Sequence, residues 1–480
     1  MEPTSGRPHV VIVGGGISGL AAAFFLRNEA VRVTVLEGSP RLSGKLSVSE
    51  IAGTAVDEGA EALLVTRPEG TALIAEAGLA DQRVNPGPTS SAIWTLGALR
   101  PLPRRQFMGV PSDMAELARS GVLTGDGVAR ARQDLELPAT GRDGDVSVAG
   151  YVGGRLGPEV VDRLVDPLLG GVYAGRSAEL SFDATLPALA AASRRHTSLA
   201  EAARSLLPAP TPGAAGTRAG GPVFTTLTGG LGLLPDYLAK QSGAEVRTGA
   251  MARELAPAGH GWRLTVGSAA VPGQVDADVV ILAVPARPAG RLLAGVPGAS
   301  AAVTAFGQIS YASMAIVTLA VRKRDWPSEA AGSGFLVPSV EGRTIKASTY
   351  SHAKWAWSAK AGGELAVLRA SVGRLGEEYV LQRSDEELVR LAMSDLEQAI
   401  GLHGPPVGSL VTRWGGGLPQ YAVGHLDRVD RVEAAVAGVP GLAVCGAAYR
   451  GVGIAACVAS GGKAATRVRE HLNALETMKS

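Results

Sequence analysis

The hydrophobic pattern at the start of the chain predicts a strand, a turn, a helix and a second strand. Residues 10–13 form a β-branched apolar run, which is typical of a buried parallel strand. Residues 17–27, rich in alanine and leucine, favour a helix, and residues 31–36 predict another buried strand. Elements in this order form a β-α-β unit, so we expect a parallel sheet.

Three glycines join the first strand to the helix. Gly14, Gly16 and Gly19 have the G-x-G-x-x-G spacing, in which the glycines allow a tight turn, a close approach to a pyrophosphate and helix–strand packing. Glu37 follows at roughly the 20-residue distance expected of a carboxylate that holds an adenosine ribose. The unit therefore predicts a dinucleotide site. A signal peptide would need a small-residue cleavage site and would leave the second strand unexplained.

Related patterns recur in the middle and at the end of the chain. Residues 224–240 and 441–468 each predict a strand, a glycine turn and a helix. Residues 244–250 and 276–286 predict single strands, and residues 309–372 alternate between strands and loops. This last segment favours a mostly antiparallel sheet.

The remaining segments are predicted to be helical or irregular. Residues 114–207 show leucine and alanine at helical spacing, with an interruption at 166–182 where two glycines flank an aromatic residue. Proline and glycine make 208–220 a linker. Trp355 and Trp357, two residues apart, are expected to share one face of a strand.

The expected fold class is α/β, with a Rossmann-like nucleotide-binding domain assembled from three segments. A substrate domain with a mostly antiparallel sheet and a helical insertion complete the chain. The expected boundaries are 1–75, 221–300 and 425–480 for the nucleotide-binding domain, 76–113 and 301–424 for the substrate domain, 114–207 for the insertion and 208–220 for the linker.

Composition narrows the class of protein. The 480 residues carry a formal net charge of +2, which gives no basic excess for nucleic acid. The sequence contains no uninterrupted apolar stretch of about 20 residues, so no membrane-spanning helix is predicted. Two cysteines, Cys445 and Cys457, are too few for a disulfide framework, and the scattered histidines have no metal-ligand spacing. A cytoplasmic metabolic enzyme is expected.

Four stretches resemble the bacterial coproporphyrinogen and protoporphyrinogen oxidases of haem biosynthesis, within the flavin amine oxidase superfamily. The resemblance covers nearly the whole chain. The Ala, Gly and Arg richness is similar to that of high-GC bacteria, whose related proteins act on coproporphyrinogen III. The four stretches are GGVYAGRSAELSFDATLP from Gly170, GSGFLVP from Gly332, TRWGGGLPQYAVGH from Thr412 and GAAYRGVGIAACVASG from Gly446.

The resemblance implies non-covalent FAD as the cofactor. The first turn and Glu37 would hold the adenosine diphosphate, and the backbone of Val246 would contact adenine. Lys45 and residues 59–62 would lie along the cofactor, with Trp414 and residues 452–454 at the isoalloxazine. The implied cofactor residues are Gly14, Gly15, Gly16, Ile17, Ser18, Gly19, Glu37, Gly38, Lys45, Gly59, Ala60, Glu61, Ala62, Val246, Trp414, Val452, Gly453 and Ile454.

The resemblance also implies three substrate residues. Arg67 would neutralise a propionate, Gly171 would present its backbone near the pyrrole nitrogens, and Leu336 would press on a ring face. No side chain can accept six electrons, so the flavin N5 would carry the chemistry and no catalytic triad or general base is expected. Oxygen would be the final acceptor, and the product would pass transiently to a ferrochelatase.

Coproporphyrinogen carries four propionates and protoporphyrinogen only two, so a basic rim would favour the former. Arg67, Arg176 and the arginines of residues 100–107 are candidates for this rim. Protoporphyrinogen oxidation, amine oxidation and porphyrin binding without turnover remain alternatives. Cys457 is expected to be a core residue rather than a flavin attachment point, and His425 a structural histidine rather than a proton shuttle.

Overall fold

The computed structural model describes residues 7–42, 44–87, 90–208 and 222–479, so the predicted linker lies almost entirely outside the described residues. Within these ranges the strands are β1 His9–Val13, β2 Arg32–Leu36, β3 Val48–Ile51, β4 Thr54–Asp57, β5 Leu63–Leu64, β6 Arg83–Val84, β7 Ala92–Thr95, β8 Ala98–Pro101, β9 Gln106–Phe107, β10 Val110–Pro111, β11 Phe224–Leu227, β12 Glu245–Arg247, β13 Ala252–Ala258, β14 Gly261–Gly267, β15 Pro272–Ala277, β16 Val279–Leu282, β17 Tyr311–Arg322, β18 Gly334–Leu336, β19 Ile345–Thr349, β20 Leu365–Val372, β21 Gly408–Pro419 and β22 Leu442–Val444. The α-helices in the same ranges are α1 Ile17–Phe25, α2 Pro68–Glu76, α3 Met114–Ser120, α4 Gly125–Arg132, α5 Val148–Leu156, α6 Pro158–Val160, α7 Asp166–Tyr173, α8 Phe182–Thr185, α9 Pro187–Ser193, α10 Leu199–Ser205, α11 Leu234–Ser242, α12 Ala286–Leu293, α13 Ser300–Gly307, α14 Ser351–Lys354, α15 Ala356–Ala361, α16 Asp385–Ile400, α17 His425–Ala437 and α18 Ile454–Lys479.

A five-stranded parallel sheet draws its strands from the start, the middle and the end of the chain. Its order is β12-β2-β1-β16-β22, and each neighbouring pair is parallel. Apolar clusters cover both faces, which is why its strands are continuous hydrophobic runs. The predicted α/β fold class is confirmed.

Helices α1 and α18 pack closely on one face of this sheet. A Cβ added to Gly461 of α18 would lie 2.4 Å from the carbonyl oxygen of Ser18 in α1. A Cβ added to Gly19 would lie 2.1 Å from the Gly14 carbonyl oxygen. Only glycine permits these approaches, so the first and last segments of the chain are held together by backbone-to-backbone packing.

A seven-stranded sheet, in the order β21-β17-β20-β19-β18-β7-β8, forms the second layer. Its neighbours are antiparallel except β18 and β7. Val317, Ala370 and Phe335 lie on one face and share a core with α16. Leu336 lies on the other face, against the apolar core of helices α3 to α10.

Three predictions of local structure are wrong. Residues 166–173 continue the helical pattern as α7 instead of interrupting it, and a left-handed Ala174 ends the helix. Trp355 and Trp357 do not share a strand, because Trp355 joins α14 to α15 and Trp357 lies within α15. The segment 276–286 divides at Asp278 between β15 and β16, since the first part pairs with β14 and the second with β1.

A search of the described helices finds none whose length and apolarity would let it cross a bilayer.

The contact between α1 and α18 yields a paired mutational test. Gly461→Ala places its Cβ against the Ser18 backbone, so we expect the free energy of unfolding to fall by about 1–3 kcal/mol. Gly462→Ala is the matched control, because its Cβ would meet the Phe25 ring at an ordinary 3.4 Å and the residue gains about 0.5–1 kcal/mol of helix stability. Urea unfolding measures both; equal stability of the two variants would contradict the close packing.

Candidate functional site

The first glycine turn joins β1 to the N-terminus of α1. Gly14 has a φ of +114°, and a Cβ there would lie 2.5 Å from the carbonyl oxygen of Ala283. Gly16 is the N-cap of α1, and no side chain caps the helix. No acidic residue occurs in its first turn. Free N–H groups at a helix N-terminus favour an anion such as a diphosphate.

The carboxylate of Glu37 lies across this turn. Its Oε2 accepts a hydrogen bond from Gly15 N at 2.8 Å, and its Oε1 accepts one from Ser39 N at 2.8 Å. Glu37 N donates to the Arg247 carbonyl oxygen, which brings the end of β12 alongside. The residues predicted for adenosine diphosphate therefore lie together at the carboxyl edge of the parallel sheet, where doubly wound folds bind nucleotides; they are Gly14, Gly15, Gly16, Ile17, Ser18, Gly19, Glu37, Gly38 and Val246.

A line of backbone contacts continues from this turn. A Cβ added to Gly44 would lie 3.1 Å from the Cα of Gly16, so the two backbones are adjacent. The carbonyl oxygen of Lys45 accepts a hydrogen bond from Ala60 N at 3.2 Å. A Cβ added to Gly59 would lie 2.1 Å from that same oxygen. The predicted Lys45 and 59–62 segments thus lie side by side next to the first turn.

Trp414 of β21 reaches the same place from the seven-stranded sheet. Its Nε1 donates to the carbonyl oxygen of Glu58 at 3.0 Å, and its ring would be 3.2 Å from a Cβ on Gly59. The ammonium of Lys45 has no hydrogen-bond or ion-pair partner among the described side chains, and burial lowers its pKa. The Glu37 carboxylate suits the ribose of FAD as a hydrogen-bond acceptor. The Lys45 ammonium and the uncapped N-terminus of α1 suit its diphosphate.

Glu61 belongs to a buried ion cluster that the sequence did not reveal. Its carboxylate oxygens pair with Lys354 Nζ at 2.6 Å and with Arg369 Nη1 at 2.9 Å. Burial alone would raise the pKa of Glu61, but the two cations outweigh it and lower the pKa to about 2. Arg369 also donates to the Gly59 carbonyl oxygen at 2.5 Å. The cluster fixes the turn that ends at Ala62 against β20.

The second glycine turn, between β22 and α18, is held by two aromatic side chains. Tyr421 Oη accepts a hydrogen bond from Gly451 N at 2.7 Å and donates to the Ala447 carbonyl oxygen at 2.7 Å. The His425 ring stacks on Tyr421 with 3.8 Å between centroids, and its Nε2 lies 2.8 Å from the Tyr449 carbonyl oxygen. His425 is fully buried and makes structural contacts, as expected.

Val452, Gly453 and Ile454 follow this turn at the start of α18. Val452 packs against the same apolar cluster as Tyr173 of α7. Gly453 is exposed, and a Cβ there would meet no atom within 4 Å. Cys457 is a free thiol in the buried interior, as the sequence predicted for a core residue. The Cys457 thiol lies beside Ser18 of α1 and near Lys45, so the start of α18 is next to the first glycine turn.

The three predicted substrate residues lie around α7. The Leu336 side chain lies 4.0 Å from a Cβ placed on Gly171. Arg67, the N-cap of α2, is exposed and makes no hydrogen bond or ion pair with any described residue, and its charge lies near the Tyr173 hydroxyl. Gly170 is buried, yet a Cβ there would meet no atom within 4 Å, so space exists beside the helix.

Two of the other candidate rim arginines already have protein partners. Arg176 pairs with Glu377 at 3.3 Å. Arg105 donates to the Pro208 carbonyl oxygen at 2.9 Å. The Arg100 side chain packs against Gly121, and its Nε has no hydrogen-bond partner among the described residues. Their place in a rim stays a prediction.

Residues 17–469 match the family of flavin-containing amine oxidoreductases. The chain belongs to this family. Its cofactor is therefore FAD, as the sequence predicted, and the protein is an oxidoreductase.

Three similar proteins extend this result. The coproporphyrinogen III oxidase of Mycobacterium tuberculosis strain H37Rv is 39% identical over 473 residues, covering 96% of this chain and 98% of the relative. That of Bacillus subtilis strain 168 is 32% identical, covering 95% and 97%. A crystal structure from Exiguobacterium sp. 255-15, named provisionally as a protoporphyrinogen oxidase, is 30% identical with a TM-score of 0.83 and covers 98% of this chain and 100% of that one.

The buried His425 is expected to make the free energy of unfolding depend on pH. Burial lowers its pKa from 6.5 to about 4, so the unfolded chain binds this proton first as the pH falls. Its contribution to the free energy of unfolding is complete above pH 6.5 and is lost toward pH 4, by an amount on the order of 3 kcal/mol. We expect His425→Gln to weaken the pH dependence of urea unfolding across this window.

The exposed His260, in the turn between β13 and β14, supplies the control. His260→Gln should leave the pH dependence of unfolding as in the wild type. A proton shuttle at position 425 would instead give a pH-dependent loss of turnover with no change in unfolding, and that result would contradict the structural role.

Proposed function

We propose that this flavoprotein oxidises coproporphyrinogen III to coproporphyrin III in haem biosynthesis, with oxygen as acceptor. One observation supports the proposal: the Leu336 side chain lies beside Gly171 of α7, and the charge of Arg67 acts on Tyr173 at the end of the same helix, which shares an apolar cluster with Val452. The unpaired Arg67 cation, the apolar Leu336 side chain and the open space beside the buried Gly170 suit a macrocycle that is apolar over its faces and anionic at its edge. The names of the two bacterial relatives support this substrate.

Cofactor binding would use both glycine turns. The N-terminus of α1 would hold the diphosphate with Lys45, and Glu37 would hold the ribose. Trp414 and residues 452–454 would border the isoalloxazine, without a covalent bond. Bound FAD would supply a hydride acceptor, and the six electrons and six protons lost by the substrate would convert three molecules of oxygen to three molecules of hydrogen peroxide.

The protein's own side chains and backbone would contribute by binding and orienting the substrate. Arg67 would bind a propionate, Leu336 would press on one ring face, and Gly171 would offer its carbonyl to the pyrrole N–H groups. Gly171 lies in the last turn of α7, where carbonyl groups lack helical N–H partners. Orientation of this kind can contribute roughly 7 to 11 kcal/mol toward the barrier. No general base is required.

The same proposal extends to organisation and setting. The nucleotide-binding domain would comprise 1–75, 221–300 and 425–480, and the substrate domain 76–113 and 301–424. The proposed boundary between residues 300 and 301 falls within α13, and this helix packs on α12 and α17. A cytoplasmic location accords with the two free cysteines. The product would pass to a ferrochelatase.

Substrate preference gives the direct test of the proposed function. The purified holoprotein should release peroxide faster with coproporphyrinogen III than with protoporphyrinogen IX, because only the former presents four carboxylates. Equal or reversed rates would contradict the choice of substrate. Ammonia release from an amine would favour amine oxidation instead.

A second test separates substrate contacts from cofactor contacts. Arg67→Ala should raise the KM for coproporphyrinogen III about ten-fold, roughly 1.4 kcal/mol for one charge-assisted hydrogen bond, with FAD occupancy unchanged. Arg287→Ala, on the exposed side of α12, is the control and should change neither quantity. Loss of FAD from the Arg67 variant would show that this residue holds the cofactor.

A further inference from the structure

Lys346 carries a buried ammonium group without a partner. The residue lies in β19 and is only 4% exposed, and its Nζ has no hydrogen-bond partner among the described residues. Isolation of this kind is unfavourable for a charged amine, which either loses its proton or acquires an anion. Burial, reinforced by the charge of Arg374, lowers the pKa of Lys346 to about 7, while Glu377 opposes this shift.

The surrounding charges leave an excess of positive charge. Arg374 is 6% exposed and donates to the Val337 carbonyl oxygen at 3.0 Å and to Glu377 at 3.4 Å. Arg176 donates to the other oxygen of Glu377 at 3.3 Å. We call these four residues, Lys346, Arg374, Arg176 and Glu377, the Lys346 cluster. Three cations share one carboxylate, so the cluster lacks an anion.

The Lys346 cluster adjoins the proposed substrate site. Ala347, the next residue, pairs directly with Leu336, and a register shift between Ile345 and Ala347 interrupts the regular alternation of faces at Lys346. The carbonyl oxygen of Lys346 accepts a hydrogen bond from Val337 N at 2.9 Å. Leu375, beside Arg374, donates its N–H to the Ala174 carbonyl oxygen at 2.8 Å, at the end of α7. The cluster therefore joins the strand that carries Leu336 to the helix that carries Gly171.

We propose that Lys346 and Arg374 bind a carboxylate of the substrate, one of the two that coproporphyrinogen carries and protoporphyrinogen lacks. This inference rests on the proposed function and adds a determinant of specificity to it. A macrocycle with only two propionates leaves the buried ammonium unpaired, and a site built for a polar group discriminates strongly against a ligand that lacks it. Arg67 is exposed and caps the N-terminus of α2, away from β19, so it serves a different carboxylate.

The test measures binding of two oxidised porphyrins to the holoprotein. Quenching of protein fluorescence gives the Kd of coproporphyrin III, a tetracarboxylate, and of protoporphyrin IX, a dicarboxylate. We expect Lys346→Met to raise the Kd of coproporphyrin III about ten-fold and to change the Kd of protoporphyrin IX by less than about two-fold. Lys240→Met, on the exposed face of α11, should change neither.

Folding of the variant is checked at the same time. Methionine is similar in volume to lysine and removes an unpaired buried charge, so we expect an unchanged or higher Tm and full FAD occupancy. A merely structural lysine would lower the Tm instead. Lys346→Gln, which keeps a polar end without charge, should give the same loss of preference.

Each result decides the inference. An unchanged Kd for coproporphyrin III in both variants, or an equal loss for both porphyrins, would overturn the carboxylate site while leaving the proposed function in place. If the wild-type holoprotein binds neither porphyrin, the proposed function fails, and the inference fails with it.

Discussion

The arrangement depends on one steric constraint, the backbone contact between helices α1 and α18. Gly461 lets the last helix approach the Ser18 carbonyl oxygen of the first helix, and Gly19 lets that first helix approach the turn before it. The strands β1 and β22, more than 400 residues apart, both pair in parallel with β16 and so end at the same edge of one sheet. The glycine turns that follow these two strands lie at that edge, and the close contact of α1 with α18 holds the two helices together there.

A charged contact then fixes the second sheet to the first. Glu61 follows the strand β4 and pairs with Lys354 of α14 and with Arg369 of the seven-stranded sheet, and Arg369 also donates to the Gly59 carbonyl oxygen. Such a buried cluster is a poor source of net stability, because desolvation of its charges offsets their attraction. Its value is geometric, since it sets the distance between the cofactor turn and the sheet that carries Leu336.

Local patterns revealed the parts of the site whose chemistry is local. The glycine spacing after β1, the acid after β2 and the turn before α18 could each be predicted, because backbone geometry dictates those residues. Lys354, Arg369, Lys346 and Arg374 could not, since their partners lie far away in sequence and nothing around a lone Lys or Arg marks it as buried. The strand predicted for Trp355 and Trp357 was wrong because their spacing was read as a strand face, although alanine and lysine between 351 and 361 favour short helices. Identity of the substrate depended on resemblance and on relatives, because the α/β fold alone serves many reactions.

In the proposed arrangement, segments distant in sequence bind FAD so that its reactive edge opens onto the space beside α7. Anaerobic mixing of the holoprotein with coproporphyrinogen III tests this arrangement, since no oxygen is present to re-oxidise the flavin. We expect the absorbance of oxidised flavin to disappear as the bound substrate gives up its first electron pair. A flavin spectrum that stays oxidised while the substrate is bound would contradict it.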